Sequence, residues 1–454
     1  VPLVEGQVRM YVCGPTVYDH AHMGHAKTYV SFDVINRYLR YKGYTVRYVQ
    51  NITDVGHLLD TGEDRILKKA GALSLEPMEV VEQYTRSYFE DMDALGVLRP
   101  EISPRASGHI PEQIEMIKGL IEKGHAYVTD EGDVYFDVTT FPEYGKLSGQ
   151  RLEELVGGAR VDVAEGKRNP ADFALWRHAE PEHLMQWNSP WGRGFPGWHI
   201  ECSAMAMHYL GEEIDLHTGG IDHIPIHHTN EIAQSEAATG KPFVRYWLHT
   251  AFLNVDGAKM SKSLGNLYTL DDVVAQGIAP LSLRYFMLGS SYRKALNFTW
   301  DAVRGAQTSL QRLWSKCAAL PTPAGEPLPE PLYAFEEAVG ADLNMPKALA
   351  VLWETVDAPA VPERLAATLC AMDRILGLDL AQAAARLDEL RALQLSANAN
   401  EDKALELARQ RQEMRKAKDY ARADALRAEI EALGFAVEDT PQGPRLVPKG
   451  PGKP

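Results

Sequence analysis

Three groups of residues in this chain have the types and spacing to do chemistry. The first, His22-Met23-Gly24-His25, puts two imidazoles around a glycine just ahead of a helix-period run. Imidazole N–H groups can reach phosphate oxygens, the glycine admits close backbone approach, and a helix start adds unpaired N–H groups and a positive dipole end. Two histidines at such a place can equally serve the fold. The second, Lys259-Met260-Ser261-Lys262-Ser263, lies between Gly257 and Gly265, which could permit movement. Its lysines could offset charge that builds on transferring or leaving phosphates; a solvated basic loop is the plainer reading. The third is dispersed over Cys13, Gly197-Trp198-His199-Ile200-Glu201-Cys202, His217-Thr218-Gly219-Gly220-Ile221-Asp222 and His227-His228-Thr229-Asn230-Glu231. His227 and Glu231 are four apart and share a helix face. With Cys13 and Cys202 they could form a four-ligand zinc site of two thiolates, one imidazole and one carboxylate. Ligands from separated segments suit an active-site floor better than a zinc knuckle, and leave room for a substrate sulfur. His228 is an alternative ligand but is expected to point elsewhere on the helix. Buried thiols and packing histidines are the competing account.

The surrounding pattern says which elements must position these groups. Val8 to Cys13 reads as a buried strand, Ala26 to Tyr41 as a helix, and Thr45 to Val49 as the next strand, a strand–helix–strand unit of mononucleotide-binding type. Ligands of such folds sit beyond the C-terminal strand ends, where Cys13 and the two histidines fall. Pro77 to Leu95 predicts a further helix with its proline at the first position. From about Ile102 the pattern changes to a helix (Ile110 to Gly124) and short alternating segments, Ala126 to Thr129 and Val134 to Asp137, an insertion that lasts to Pro196. Ile214 to Gly220 and Phe243 to Leu253 return to strand. Beyond Thr299 the chain is helical: a bundle over about Ala302 to Leu387, then a single stretch from Lys403 to Leu433 ended by Gly434. That stretch carries Arg409, Arg411, Arg415, Lys416, Lys418, Arg422 and Arg427, either a solvated face balanced by acids or an RNA-facing one. The tail from Leu446 is expected to be disordered.

Bulk properties limit the function classes. The 454 residues, 45% hydrophobic and 24% charged, suit a folded chain of several domains. No run of about 18 apolar residues suggests a membrane span. The start lacks both the pattern of a signal peptide and an initiator Met, so a missing or processed N-terminus is expected. A net charge of −15 disfavours nonspecific nucleic-acid binding without excluding a local basic patch. Four widely spaced cysteines argue against a disulfide framework and fit a reducing cytoplasm. Cys317 and Cys370 lie in helical patterns and are expected to be buried.

Together, in this order, the segments resemble bacterial cysteinyl-tRNA synthetases, class I enzymes, over almost the whole length. The resemblance is carried by Met10 to Tyr18, His22 to His25, Tyr48-Val49-Gln50-Asn51-Ile52-Thr53-Asp54-Val55, Pro196 to Met205, His217 to Glu231 and Lys259 to Asn266. Arg415 to Asp424 and Glu438 to Gly443 resemble the family's tail module. It implies an α/β Rossmann-like class I catalytic domain with an inserted domain, then a C-terminal helical anticodon-binding region. The implied divisions are 1–101 and 197–255 for the catalytic halves, 102–196 for the acceptor-end insertion, 256–301 for the lysine loop and stem-contact region, 302–398 for the anticodon bundle and 399–454 for a tRNA-recognition module. It further implies ATP-dependent activation of L-cysteine and its transfer to tRNA(Cys), with one zinc ion per chain held by Cys13, Cys202, His227 and Glu231, and magnesium with ATP. Thr53, Asp54, Trp198 and His217 would border the amino acid. His22, Gly24 and His25 would meet the ATP phosphates, Gly220 and Asp222 the ribose, and Lys259 and Lys262 the reacting phosphate. Lys167 and Arg168 are candidate acceptor-end contacts, and a cytoplasmic monomer is expected.

The sequence departs from the family pattern at Ile224-Pro225-Ile226-His227-His228, where the proline is moved one place, and at Thr218, which shortens a glycine run. Gly56-His57 replaces an acidic pair and the following stretch to Glu63 is unusual, so the substrate loop should differ in local shape. The shorter beginning would remove an edge strand. A ligase joining cysteine to an amino-sugar glycoside in mycothiol synthesis would share this zinc and adenylate equipment, but needs no anticodon reader. A non-catalytic RNA-binding homologue would not need His22, His25, Lys259 and Lys262, and a free-standing zinc-supported binding module fits less well still.

Overall fold

A computed structural model describes residues 1–56, 64–150, 166–261, 264–440 and 443–448. Lys262 and the segment 57–63 lie outside the described residues. The chain divides into two compact units, one of residues 1–20, 42–90 and 99–250, the other of residues 21–41, 91–98 and 251–454.

The first unit is built on a parallel sheet. Strand β1 (Gln7–Val12) pairs with β2 (Thr45–Gln50), and the chain between them includes the helix Met23–Tyr41. An antiparallel sheet follows in the insertion: β3 (Ala126–Val128), β4 (Val134–Phe136), β5 (Phe173–His178), β6 (Trp187–Ser189) and β7 (Gly192–Pro196), in the order β3-β4-β5-β7-β6. The chain then returns to the parallel sheet with β8 (Ile214–Gly220) and β9 (Val244–Thr250), completing the order β2-β1-β8-β9. Met10, Tyr11 and Val12 are all fully buried, the continuous apolar run of a strand covered on both faces. Each sheet has its own core: Tyr11, Val49, Ile52, Met205 and Ile214 belong to one, and Ile117, Leu120, Phe136, Leu175 and Trp176 to the other.

The second unit begins with the helix Met23–Tyr41 and continues from Ala251. Strands β10 (Leu253–Val255) and β11 (Ala258–Lys259) form a hairpin, and β12 (Leu296–Phe298) runs parallel to β10. The two-residue turn is Asp256-Gly257, with φ of 49° and 79°. An Asp-Gly pair at positive φ matches the twist of a tight hairpin, so Gly257 serves the turn that presents Lys259. Helices Trp300–Ala318, Pro329–Gly340, Met345–Asp357 and Pro362–Leu376 follow. Pro329 and Pro362 open their helices, where the missing N–H is harmless.

Three expectations need correction here. The C-terminal stretch is two helices, Ala383–Lys416 and Tyr420–Ala432. Lys418 takes a φ of 62°, which ends the first, and Asp419 caps the second by accepting the Arg422 N–H. The tail expected to be disordered from Leu446 begins inside a strand, Gly443–Pro448, which pairs with Phe435–Thr440. Cys317 and Cys370 are half-buried rather than buried. Three arginines of these helices have acidic partners: Arg411 and Arg415 both bind Asp439, and Arg427 binds Glu431.

Candidate active site

In the first unit, four elements bring their side chains to one point. Cys13 follows β1, and its N–H donates to the Thr218 carbonyl of β8 at 3.1 Å. Gly14 then passes Asn51 so closely that a Cβ would lie 1.5 Å from the Asn51 carbonyl oxygen. Asn51 holds this crossing by accepting the Gly14 N–H at 2.8 Å and donating to Thr53 Oγ1 at 3.1 Å. Cys202 projects from helix Trp198–Leu210, His217 from β8, and Glu231 from helix Thr229–Thr239. His227 lies in a wide π-helical turn, Ile224–His228, that runs into the last of these. One ligand atom each from Cys13, Cys202, His227 and Glu231 lies within 4.8 Å of the others, and all four residues are buried. Cys13, His217, His228 and Glu231 meet the same condition. The residues therefore group into a cluster able to hold a metal ion.

His228 does not point elsewhere. Its Nε2 is 3.3 Å from Cys13 Sγ and 3.9 Å from Glu231 Oε1, while His227 Nε2 is 3.0 Å from that same oxygen. Residues three and four before Glu231 both neighbour it on a helix, and the π turn places both imidazoles toward it. Strand register adds two residues that the sequence reading missed. His217 pairs with Trp247 and Gly219 with His249 along β8 and β9. The Trp247 ring stacks on His217 at 4.6 Å, and His249 Nε2 lies 2.8 Å from His228 Nδ1. The period-2 spacing of Trp247 and His249 was the available signal.

Charge in the cluster is shared through protons. The hydrogen bond with Cys13 draws the Cys202 thiol down to about 6, against the opposing effect of burial. Burial, and then Cys202, pushes Cys13 well up. Burial would lower His227, but Glu231 and Cys202 raise it to about 10. Burial would raise Glu231, yet His217 and His227 hold it well below the usual carboxylate range. Neighbouring groups are thus shifted in opposite directions, as expected where closely spaced ligand atoms share charge. A divalent cation could be met by the same atoms. His217 Nε2 is 2.8 Å from Glu231 Oε2, whereas its Nδ1 has no hydrogen-bond partner among the described residues. His199 Nδ1 lies 2.9 Å from His227 Nδ1, leaving Nε2 of His227 toward the cluster.

The residues expected around an amino acid lie in this unit. Trp198 opens its helix and stacks on His227 at 4.2 Å. Thr53 is buried, its N–H donating to the Pro15 carbonyl and its own carbonyl accepting from Val17. Asp54 turns both carboxylate oxygens to Ser107, accepting from its N–H at 2.8 Å and its hydroxyl at 2.6 Å. Gly220 ends β8 beneath Asp222, whose Oδ1 would be 2.3 Å from a Cβ there. Lys167 and Arg168 lie over the rings of Tyr135 and Tyr127.

The second unit carries the other candidate group. His22 immediately precedes helix Met23–Tyr41, and His25 lies in its first turn. Their rings stack at 4.0 Å. The His22 N–H donates to His25 Nδ1 at 3.2 Å, and the Gly24 N–H donates to His22 Nδ1 at 3.1 Å. Both Nδ1 atoms are therefore acceptors, and each ring carries its proton on Nε2. Burial, aided by His22, holds His25 well below its usual range, so it stays neutral and donates one N–H. Gly24 is closely approached: a Cβ would lie 2.6 Å from Met260 Cε and 2.9 Å from His22 Cε1, so those side chains would have to shift. Lys259 is exposed on β11 with its ammonium 5.4 Å from the Phe252 ring centre, and Asn266 ties its loop by accepting the Ser261 N–H and donating to the Lys259 carbonyl.

Comparison with known proteins gives the family. Residues 1–308 match the family model described as the tRNA synthetases class I (C) catalytic domain, and residues 399–444 match the cysteinyl-tRNA ligase anticodon binding domain. A cysteine–tRNA ligase of Chlorobaculum tepidum is 48% identical, the match covering 97% of this chain and 95% of the relative. One from Thermus thermophilus is also 48% identical, covering 98% and 95%. One from Deinococcus radiodurans is 46% identical, covering 98% and 93%. Among solved structures, methionyl-tRNA synthetase of Mycobacterium tuberculosis in complex with methionyl-adenylate aligns with a TM-score of 0.56 at 16% identity, over 87% of this chain and 92% of that one. The LeuRS of Agrobacterium radiobacter K84 aligns at 0.58 and 13% identity, over 87% and 86%. These distant likenesses show the fold alone: an α/β Rossmann-like class I synthetase catalytic domain with an inserted domain and a C-terminal helical region. On the family models and the close relatives, the chain belongs to the cysteinyl-tRNA synthetases of class I.

Proposed function

We propose that this chain activates L-cysteine with ATP and transfers it to tRNA(Cys). The observation that carries this reading is the buried Cys13–Cys202–His227–Glu231 cluster in a chain 48% identical, over nearly its full length, to cysteine–tRNA ligases. In the first step the carboxylate of cysteine attacks the α-phosphate of ATP, forming cysteinyl-adenylate and releasing pyrophosphate. In the second, a terminal ribose hydroxyl of the tRNA attacks the activated carbonyl and AMP leaves.

Cys13, Cys202, His227 and Glu231 would hold zinc, whose usual ligands are thiolate, imidazole and carboxylate. Bound there, zinc would favour the soft thiolate of cysteine over the hydroxyl of serine, more than an apolar pocket can achieve between near-isosteres. Glu231 faces both candidate ligand sets, and His199 and His217 orient the imidazole and carboxylate. His228, with His217, would compete with Cys202 and His227 for the metal. Trp198 and His217 would line the amino-acid pocket, and Thr53 and Asp54 would shape its border.

His22 and His25 present Nε2–H donors from a helix start, and a glycine between them allows a phosphate to come close. Lys259 and Lys262 would add positive charge as the pentavalent phosphate forms, magnesium would accompany the ATP phosphates, and Gly220 and Asp222 would take the ribose. Catalysis of this kind is positioning plus charge stabilisation. The C-terminal helices and the module from 399 onward would read unstacked anticodon-loop bases, and the insertion would hold the acceptor end. Among the described residues no helix is long and apolar enough to cross a membrane; the four cysteines, none of them in a disulfide, support a cytoplasmic setting. The direct test is exchange of radiolabelled pyrophosphate into ATP by zinc-replete protein, followed by charging of purified tRNA(Cys). Exchange that needs cysteine, and a stable charged tRNA, are expected. Exchange without tRNA charging would contradict the second step, and no exchange would contradict both.

A further inference from the structure

Arg284, on helix Pro280–Leu288, is among the largest fully buried side chains of the molecule. Hiding a guanidinium costs several kcal/mol unless its N–H groups are met. Here they are met by separate segments of the second unit. Nε donates to the Leu376 carbonyl at 2.6 Å, and Nη1 to the carbonyls of Leu95 and Gly96 at 3.1 and 3.2 Å. Nη2 donates to Asp33 Oδ2 at 2.5 Å. The same Asp33 accepts from Arg37 Nε at 2.7 Å and from the Leu98 N–H at 2.9 Å. Arg37 reaches on to the carbonyls of Gly96 and Arg374 at 2.6 and 3.3 Å. Gly377 closes the junction with a φ of 62°; a Cβ there would lie 2.8 Å from Arg284 Nη2 and 3.0 Å from Arg37 Cζ.

The segments so joined differ in role. Asp33 and Arg37 belong to helix Met23–Tyr41, which starts at the His22–His25 group. Leu376 and Gly377 end helix Pro362–Leu376 of the C-terminal bundle. Apolar residues would bury this space at less cost, but would not set the rotation of one helix against the end of another. Directional charge-assisted bonds do. Asp33 lies about 12 Å along the helix from His25, at about 1.5 Å per residue, so a small tilt at the junction displaces the imidazoles. A misplacement of about 1 Å can cost roughly a hundredfold in rate.

We propose that Arg284 is a positioning residue that fixes the helix bearing His22 and His25 against the end of helix Pro362–Leu376, and that loosening this junction slows adenylate formation without weakening substrate binding. The inference rests on the reading of His22 and His25 as ATP-phosphate contacts. Its test measures cysteine-dependent pyrophosphate exchange per folded molecule, with Tm, for Arg284→Lys, Gly377→Ala and Leu352→Ala. Leu352 is fully buried in helix Met345–Asp357 of the same bundle and makes none of the junction bonds, so its truncation is a stability control. Arg284→Lys and Gly377→Ala are expected to lower kcat by about tenfold or more with KM for ATP and cysteine within about twofold; Leu352→Ala is expected to lower Tm and keep kcat. If Arg284→Lys does not fold, Gly377→Ala decides. Unchanged kcat in the junction variants, or an equal loss in Leu352→Ala, overturns the proposal. His25→Ala is measured beside them: if it leaves exchange intact, the phosphate reading falls and this inference with it, whereas if it alone cuts exchange, only the junction role falls.

Discussion

At the scale of single residues, electrostatics predict two outcomes. The Cys202 thiol is held down by its hydrogen bond with Cys13. Cys202→Ala should lose most bound zinc and, with it, cysteine-dependent exchange; metal analysis showing unchanged stoichiometry would remove Cys202 from the ligand set. Lys27 gives a pH signature. It is buried, its Nζ donates to the Ala251 carbonyl oxygen at 2.5 Å, and burial lowers it from 10.5 to about 8. Between those values the unfolded chain holds a proton that the folded one has released, so this residue's contribution to stability rises with pH across the window and is least favourable below it. The Tm of wild type relative to Lys27→Met should climb from about pH 8 to about pH 10.5. A difference independent of pH in that range would show that Lys27 is not desolvated. Its unusual setting was not legible in the sequence, because the carbonyls that receive it come from more than two hundred positions away.

At the scale of elements, local spacing predicted the strands and most helices well, and failed where backbone conformation or tertiary pairing decides. The order β1, helix, β2 could be read from period and turn residues. The wide turn Ile224–His228 could not, since residue spacing alone implies regular α-helical geometry. That turn is why His228 joins the cluster. The tight turn at Asp256-Gly257 has a sequence signature in its residue pair, and its glycine serves the hairpin rather than movement. The crossing of Gly14 over Asn51 sets where Cys13 emerges. Gly14→Ala would drive a Cβ into backbone that cannot rotate away. The substitution should destabilise by about 1–3 kcal/mol or more and lower zinc content in the folded fraction. A stable variant with full metal occupancy would mean that the loop after β1 tolerates displacement.

At the scale of the whole molecule, activation and transfer should separate. The terminal module has its own core of Ala404, Leu407, Ala408, Leu426, Ile430 and Phe435. Ile430 is fully buried there, so Ile430→Asp places a charge in that core and should unfold it locally. Cysteine-dependent exchange should stay near the wild-type rate while kcat/KM for tRNA(Cys) falls by about tenfold or more, as expected when recognition of unstacked loop bases is lost. Equal loss of both activities would show that the module supports the catalytic domain rather than reading tRNA. The sequence indicated this division through its tail motif. It could not indicate the Arg284 junction, whose acceptors are mostly backbone carbonyls that leave no trace in residue type.

Selection of cysteine through a metal–sulfur bond is tested most directly by replacing zinc with cobalt and recording the visible spectrum during substrate addition. Cysteine should increase the sulfur-to-cobalt charge-transfer absorption saturably, at a concentration matching its KM in pyrophosphate exchange, while serine leaves the spectrum unchanged. An identical response to both amino acids, or none to cysteine in protein that still supports exchange, would contradict the account.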